Sequence, residues 1–300
     1  MIDAPAGAIP RKEKKGPPRD HTTIGTAARP DFVRLPDVTT LFAARARRFA
    51  ELAAANQPLA PFLLFLSHLA EVQHRTQAAL PATGPLRRQD ILSADSLRER
   101  IAWLVQHAAM EGAPAATEQA RERLAAMPAV ERLALAGAVL DGVCSPDRLA
   151  EGLYMAAALQ VHLTGFASRL EASRIVRAVD GFCPACGSRP VASMIVGWAN
   201  AAGTRYCCCS MCGTLWNVVR AKCTSCASTA GMSYASLEGQ STEIAAEICA
   251  DCNHYIKHFR QDRTAAIDPF ADDIASLGLD LRMQATGIRR ATANPLMVIR

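Results

Sequence analysis

The sequence predicts an α+β protein, with an N-terminal α-helical bundle followed by two tandem four-cysteine metal modules that carry small β-sheets and a late helix. Three observations carry this prediction. Apolar residues recur at helical spacing over 37–180, and alanine is abundant through the first 180 residues. The texture changes at Gly181, and ten of the eleven cysteines follow between Cys183 and Cys252. Those cysteines include four C-x-x-C pairs in two equally spaced sets.

The first 30 residues combine Pro, Gly and the charge run RKEKK, and are expected to form a disordered tail with a solvated basic patch. They hold six basic and three acidic side chains, so they supply +3 of the net charge of +5. The remaining body is nearly balanced, and its charge demands no polyanionic partner. The stretch 31–180 reads as consecutive helices. VTTLFAARARRFAELAAAN follows Asp37, a suitable N-cap, and Leu41, Phe42, Ala46 and Phe49 share one face. PFLLFLSHLAEVQHRTQAAL, SADSLRERIAWLVQHAAM and PAVERLALAGAVLDG follow. A last helix opens at Ser145–Pro146 and is expected to continue to about Val179. Half of all residues are hydrophobic, enough for a substantial core.

Beyond Gly181 the runs VASMIVGW, TRYCCC, TLWNVV and MSYASL read as strands. The pairs Cys183/Cys186 and Cys209/Cys212 are separated by 22 residues, as are Cys223/Cys226 and Cys249/Cys252. A ten-residue connector joins the two sets, so one unit is repeated at 181–220 and 221–300. Each C-x-x-C turn presents two thiolates on one side of a tight loop, and two turns complete a tetrahedron of sulfur. A module of ~40 residues rarely stands on its own apolar core, and a structural metal supplies folding energy on the order of 10 kcal/mol. The residue after the second cysteine of each turn favours a left-handed backbone. Gly187 and Gly213 suit it, Asn253 tolerates it, and Ala227 is the poorest match.

Cys207 and Cys208 fall outside the repeat. They are expected as small strand residues packed on alternate faces, with a spare thiol for ligand exchange or redox chemistry as the sharper reading. Cys144 is expected as a buried small hydrophobe, and His254 and His258 as non-ligands beside a complete thiolate set. The late segment DPFADDIASLGLDLRMQATG is expected as one helix, capped by Asp268 and ended by Gly287.

The N-terminus has no apolar signal-peptide core, and no apolar run reaches the ~20 residues of a membrane span. The expected location is the cytoplasm, where structural disulfides are rare. No nucleophile–base constellation and no phosphate loop stands out, so no catalytic residue and no organic cofactor site is assigned.

FCPACGSRPVASMI, RYCCCSMCGTLWNVVRAKCTSC, YASLEG, EICADCNHYIKHF, DPFADDIASLGLDLRMQATG and NPLMV together resemble the FdhE family of formate dehydrogenase accessory proteins. The likeness extends back through LPDVTTLFAARARRFAELA and PLAPFLLFLSHLAEVQH, covering roughly 30–299. It implies rubredoxin-like modules that bind iron at two mononuclear sites, through Cys183, Cys186, Cys209 and Cys212, and through Cys223, Cys226, Cys249 and Cys252. It also implies a cytoplasmic role in maturing respiratory formate dehydrogenase, by contact with the catalytic subunit before export. The pair Cys207–Cys208 departs from the family pattern. Spacing alone does not separate iron from zinc, and four pairs allow three ways of making two sites. The competing readings are a zinc-ribbon nucleic-acid or protein binder and a C-x-x-C thiol-redox protein. Against nucleic acid, the loop ASTAGMSYASLEGQSTEIAAEI has no Lys or Arg and carries Glu238, Glu243 and Glu247.

Overall fold

The computed structural model describes residues 30–81, 90–237 and 242–297. The tail expected over 1–30 lies outside them except for Pro30, as does Glu238. The helical part consists of α1 (Leu41–Ala55), α2 (Ala60–Ala79), α3 (Asp95–His107), α4 (Ala115–Ala126), α5 (Ala129–Leu140) and α6 (Leu149–Ala167). Helix α6 is the axis of this bundle. Every residue from Glu151 to Ala167 is buried, because α2, α3, α4 and α5 all pack on it.

Asp37 does not cap α1 directly. Its carboxylate accepts the Thr39 N–H and the Thr39 and Thr40 hydroxyls, shaping the turn before the helix. Helix α4 extends the predicted set. The last helix of the bundle stops at Ala167, short of the expected Val179. Ser168 Oγ bonds back to Gly165 O, and beyond it Val176 and Val179 are exposed. With no core face to bury, propensity alone does not hold a helix there.

The expected small sheets are fused into one. The strands β1 (Val33–Arg34), β2 (Pro190–Ile195), β3 (Arg205–Cys209), β4 (Leu215–Asn217), β5 (Met232–Ala235), β6 (Ile244–Cys249) and β7 (His254–Arg260) lie in the order β1-β4-β3-β2-β7-β6-β5, and β8 (Arg289–Arg290) also pairs with β7. Each module contributes an antiparallel meander, β2–β3–β4 or β5–β6–β7. The first strand of the first meander pairs in parallel with the third strand of the second, Ser193 opposite His258.

The late helix is broken into α7 (Ala271–Ala275) and α8 (Leu277–Ala285). At the break, Ser276 Oγ bonds to the carbonyl of Asp272 and meets Lys257 Nζ at 3.0 Å, so the side chain competes with the helical ladder. Asp268, like Asp37, shapes the turn before its helix, accepting the N–H groups of Phe270 and Ala271. Gly287 is left-handed, with φ +76°.

One apolar core runs from α1, α2 and α6 into the first module, where it includes Cys183, Cys186, Cys207, Cys209, Cys212 and Trp216. A second cluster, with Val191, Met194, Tyr206, Cys208 and Phe259, lies on the other face of the sheet.

Candidate metal centres

The knuckles form because their backbones close on themselves. Gly187 N–H bonds to Cys183 O at 2.9 Å, and Cys183 N–H to Ser188 O at 2.8 Å. The third knuckle repeats this, with Ala227 N–H on Cys223 O at 3.1 Å and Cys223 N–H on Ser228 O at 2.7 Å. All four following residues are left-handed, with φ +76° at Gly187, +72° at Gly213, +65° at Ala227 and +54° at Asn253. Ala227 therefore adopts a backbone that its Cβ disfavours.

The fold brings the eight predicted cysteines into two groups. Cys183, Cys186, Cys209 and Cys212 form one, and Cys223, Cys226, Cys249 and Cys252 the other, with the sulfurs in each within 4.8 Å of one another. Of the three pairings open to the sequence, the fold adopts the sequence-neighbour one. In the first group Cys183 and Cys212 Sγ are 3.7 Å apart, and Cys186 and Cys209 Sγ 3.4 Å. In the second, Cys223–Cys252 is 3.8 Å and Cys226–Cys249 is 3.7 Å. Metal–sulfur bonds of ~2.3 Å in a tetrahedron place the sulfurs about 3.8 Å apart, so both donor sets fit a four-coordinate thiophilic ion. Backbone amides already point inward, as the sulfurs of such a site require. Met211 and Cys212 N–H reach Cys209 Sγ at 3.4 Å, and Ser225 and Cys226 N–H reach Cys223 Sγ at 3.3 and 3.5 Å.

The two groups sit in different surroundings. All four cysteines of the first are buried. Its second knuckle is pinned by α6, where Thr164 Oγ1 donates to Cys212 O and Gln160 Nε2 to Ser210 O. A Cβ on Gly213 would stand 2.9 Å from Leu41 of α1. Hydrogen bonds from the Cys183, Cys209 and Cys212 thiols hold Cys186 well below the usual thiol range, while burial pushes Cys209 and Cys212 up. Four negative sulfurs in such a site need a cation among them. In the second group Cys226 is exposed and Cys252 half-buried.

Cys207 and Cys208 do sit on opposite faces of β3, one in each apolar cluster. Burial pushes the Cys207 thiol up to about 12 and Cys208 higher, which leaves both as packing residues without thiolate character. Cys144 is buried, its thiol directed at Ser145 O and Arg148 O. His254 Nδ1 bonds to Cys252 O, and His258 Nδ1 meets Ser193 Oγ at 2.9 Å, so neither joins a cysteine group.

Ser193, His258 and Glu247 lie together but do not form a nucleophilic array. Both partners meet the same imidazole nitrogen, Glu247 Oε2 at 3.5 Å, and all three side chains are buried. A triad needs the acid and the nucleophile on opposite nitrogens. Glu247 instead pairs with the fully buried Arg205, which also donates to the carbonyls of Val219, Arg220 and Lys222. That network ties β3 of the first module to the connector and to β6. It also removes Glu247 from the surface charge counted against nucleic-acid binding. Arg205 was not legible as a tie, because its partner lies 42 positions away. Gln160 and Thr164 left a signal, being two polar residues four apart on one side of a helix that is apolar at most other positions.

A helical bundle joined to a single sheet that carries two four-thiol groups defines a protein with paired four-cysteine clusters able to hold metal ions. Similarity to known proteins runs from residue 30 to residue 297. Family models described as FdhE N-terminal, FdhE central domain and FdhE C-terminal domain match residues 30–180, 182–220 and 221–297. A "Protein FdhE homolog" of Rhizobium meliloti (strain 1021) is 37% identical, over 93% of this chain and 97% of its own. Another, from Edwardsiella ictaluri (strain 93-146), is 32% identical, over 88% of this chain and 90% of its own. The crystal structure of the FdhE protein from Pseudomonas aeruginosa superposes with a TM-score of 0.79 at 30% identity, covering 89% of this chain and 98% of that one. The chain belongs to the FdhE family.

Proposed function

We propose that this protein is a non-catalytic accessory factor for respiratory formate dehydrogenase. It holds two metal ions, acts in the cytoplasm, and contacts the catalytic subunit of that enzyme before export. The single observation that carries this reading is membership of the FdhE family across 30–297, and the two four-thiol groups supply the chemistry. The ligands are Cys183, Cys186, Cys209 and Cys212 at the first site, and Cys223, Cys226, Cys249 and Cys252 at the second. Iron is the expected ion and zinc the alternative, since both accept four sulfurs. The units proposed are a helical domain over 31–180 and cysteine modules over 181–220 and 221–300. No described helix is long and apolar enough to cross a membrane.

The test pairs genetics with capture. A strain lacking the protein is expected to contain formate dehydrogenase polypeptide but little formate oxidation. The wild-type protein is expected to pull down the catalytic subunit, and Cys183→Ser/Cys186→Ser or Cys223→Ser/Cys226→Ser to lose metal and complementation. Full formate oxidation in the deletion strain with no subunit captured overturns the proposal. Metal analysis with a visible absorption spectrum on untagged protein decides iron against zinc.

A further inference from the structure

We propose that the two centres have different jobs. The first is a fixed strut of the core, and the second is the centre that opens to an outside thiol, with Cys226 as the sulfur that gives way. This rests on the reading that both four-cysteine groups hold metal.

Burial separates the centres first. An incoming ligand needs a line of approach to the sulfurs, and at the first centre Cys183, Cys186, Cys209 and Cys212 are exposed by 1%, 5%, 0% and 0%. The apolar core and the hydrogen bonds from Thr164 and Gln160 close that centre from the side of α6, and Leu41 closes it from α1. At the second centre Cys223 and Cys249 are buried, Cys252 is half-buried and Cys226 faces solvent. The inner pair thus anchors the centre while the outer edge stays open.

Backbone strain then selects among the second centre's cysteines. Of the four residues that follow a knuckle, two are glycine and one is asparagine, the types that accept a left-handed backbone. The fourth is Ala227, directly after Cys226. Strain held at one turn lowers the cost of opening that turn relative to its three counterparts. The exposed sulfur of Cys226 and the strained turn at Ala227 are adjacent in the chain.

The exchange is balanced without an oxidant or a reductant. Cys226 yields its place to an incoming thiol and takes up the proton that this thiol releases, so charge and electron count are unchanged. The class of ligand is a thiol, the soft donor that competes with cysteine for a thiophilic ion. A cysteine side chain of a bound polypeptide and a small cellular thiol share this chemistry.

The experiment uses the full-length chain loaded with two zinc ions, glutathione as incoming thiol, and an excess of a chromogenic zinc chelator. Zinc release is expected in two phases, one ion leaving at least tenfold faster than the other, with the fast rate rising with glutathione concentration. In parallel, brief N-ethylmaleimide treatment and peptide mass spectrometry are expected to label Cys226 first and to spare Cys183, Cys186, Cys209 and Cys212. Ala227→Gly, which removes the strained Cβ and leaves all ligands in place, is expected to slow the fast phase about fivefold. Release of both ions at one rate, or first labelling at the buried centre, overturns the proposal. An unchanged fast phase in Ala227→Gly overturns the role given to the turn. A chain that takes up no zinc at loading fails the metal reading itself, and this is seen before any rate is measured.

Discussion

Gly213 concentrates two demands in one residue. Its φ of +72° suits glycine, and a Cβ there would meet Leu41 of α1 at 2.9 Å. Gly287 has a similar φ of +76° but open space around it. Gly213→Ala is expected to cost on the order of 2–4 kcal/mol, from backbone strain plus overpacking, and Gly287→Ala about 1 kcal/mol from strain alone. Urea unfolding of the metal-loaded proteins measures both, and equal losses would show that the contact with α1 carries no energy. The left-handed positions were legible in the sequence, because the C-x-x-C turn names the residue that needs them. That Gly213 also seats α1 was not, since the contact spans 172 positions between Leu41 and Gly213.

His162 gives the residue scale a pH signature. It is fully buried in α6, and burial, reinforced by the positive Arg100, lowers it to about 4. The unfolded imidazole titrates near 6.5, so between pH 6.5 and 4 the unfolded state binds the extra proton. Stability is therefore present above pH 6.5 and lost as pH falls. Between pH 7 and 5 the wild type is expected to lose about 2 kcal/mol more than His162→Gln, read from helical circular dichroism in urea. Identical pH slopes would remove His162 from the acid response.

Among the elements, the joint between β7 and the late helices is electrostatic. Lys257 is fully buried, and its Nζ lies 2.6 Å from Asp280 Oδ2 and 3.3 Å from Asp273 Oδ1, beside the carbonyls of Asp273 and Ser276. Arg290 of β8 shares the same two carboxylates. Lys257→Met keeps the volume but leaves the buried Asp273 and the half-buried Asp280 with one cation, and is expected to cost about 3–5 kcal/mol in urea unfolding. A loss below about 1 kcal/mol would mean that Arg290 alone satisfies both. This also explains why β7 was not legible. HYIKHFR carries charge at positions that the fold buries, which hides the alternation that marks a strand. Helices α1, α2, α3 and α5 were legible because their apolar faces meet the core at helical spacing. The break at Ser276 was not, because Lys257 comes from another element.

Across the whole molecule, the repeat was legible as spacing, and the sheet that fuses its two copies was not. The parallel pairing of β2 with β7 joins residues more than 60 positions apart, and neither strand alone specifies it. The shared core likewise makes the helical part depend on the first module. A fragment spanning 30–180 is expected to keep helical circular dichroism but to melt several degrees below the helical transition of the metal-loaded full chain. An unchanged melting temperature would mean that the first module adds nothing to helical stability. Chelation of the full chain is expected to loosen the sheet before the helices, because the knuckles depend directly on their ligands.

Burial of α6 on every side has a consequence in the order of synthesis. Ala167 ends the helix, but Ser210 and Cys212, whose carbonyls accept from Gln160 and Thr164, follow 43 and 45 positions later. At ~5–20 residues per second, the ribosome needs roughly 2–9 s to cross that gap. During that interval the side of α6 destined for the first knuckles is uncovered. It closes only when four cysteines have left the exit tunnel and gathered. For the first centre, then, the time until Cys209 and Cys212 emerge sets how long a nascent chain waits with one side of its central helix unsheltered.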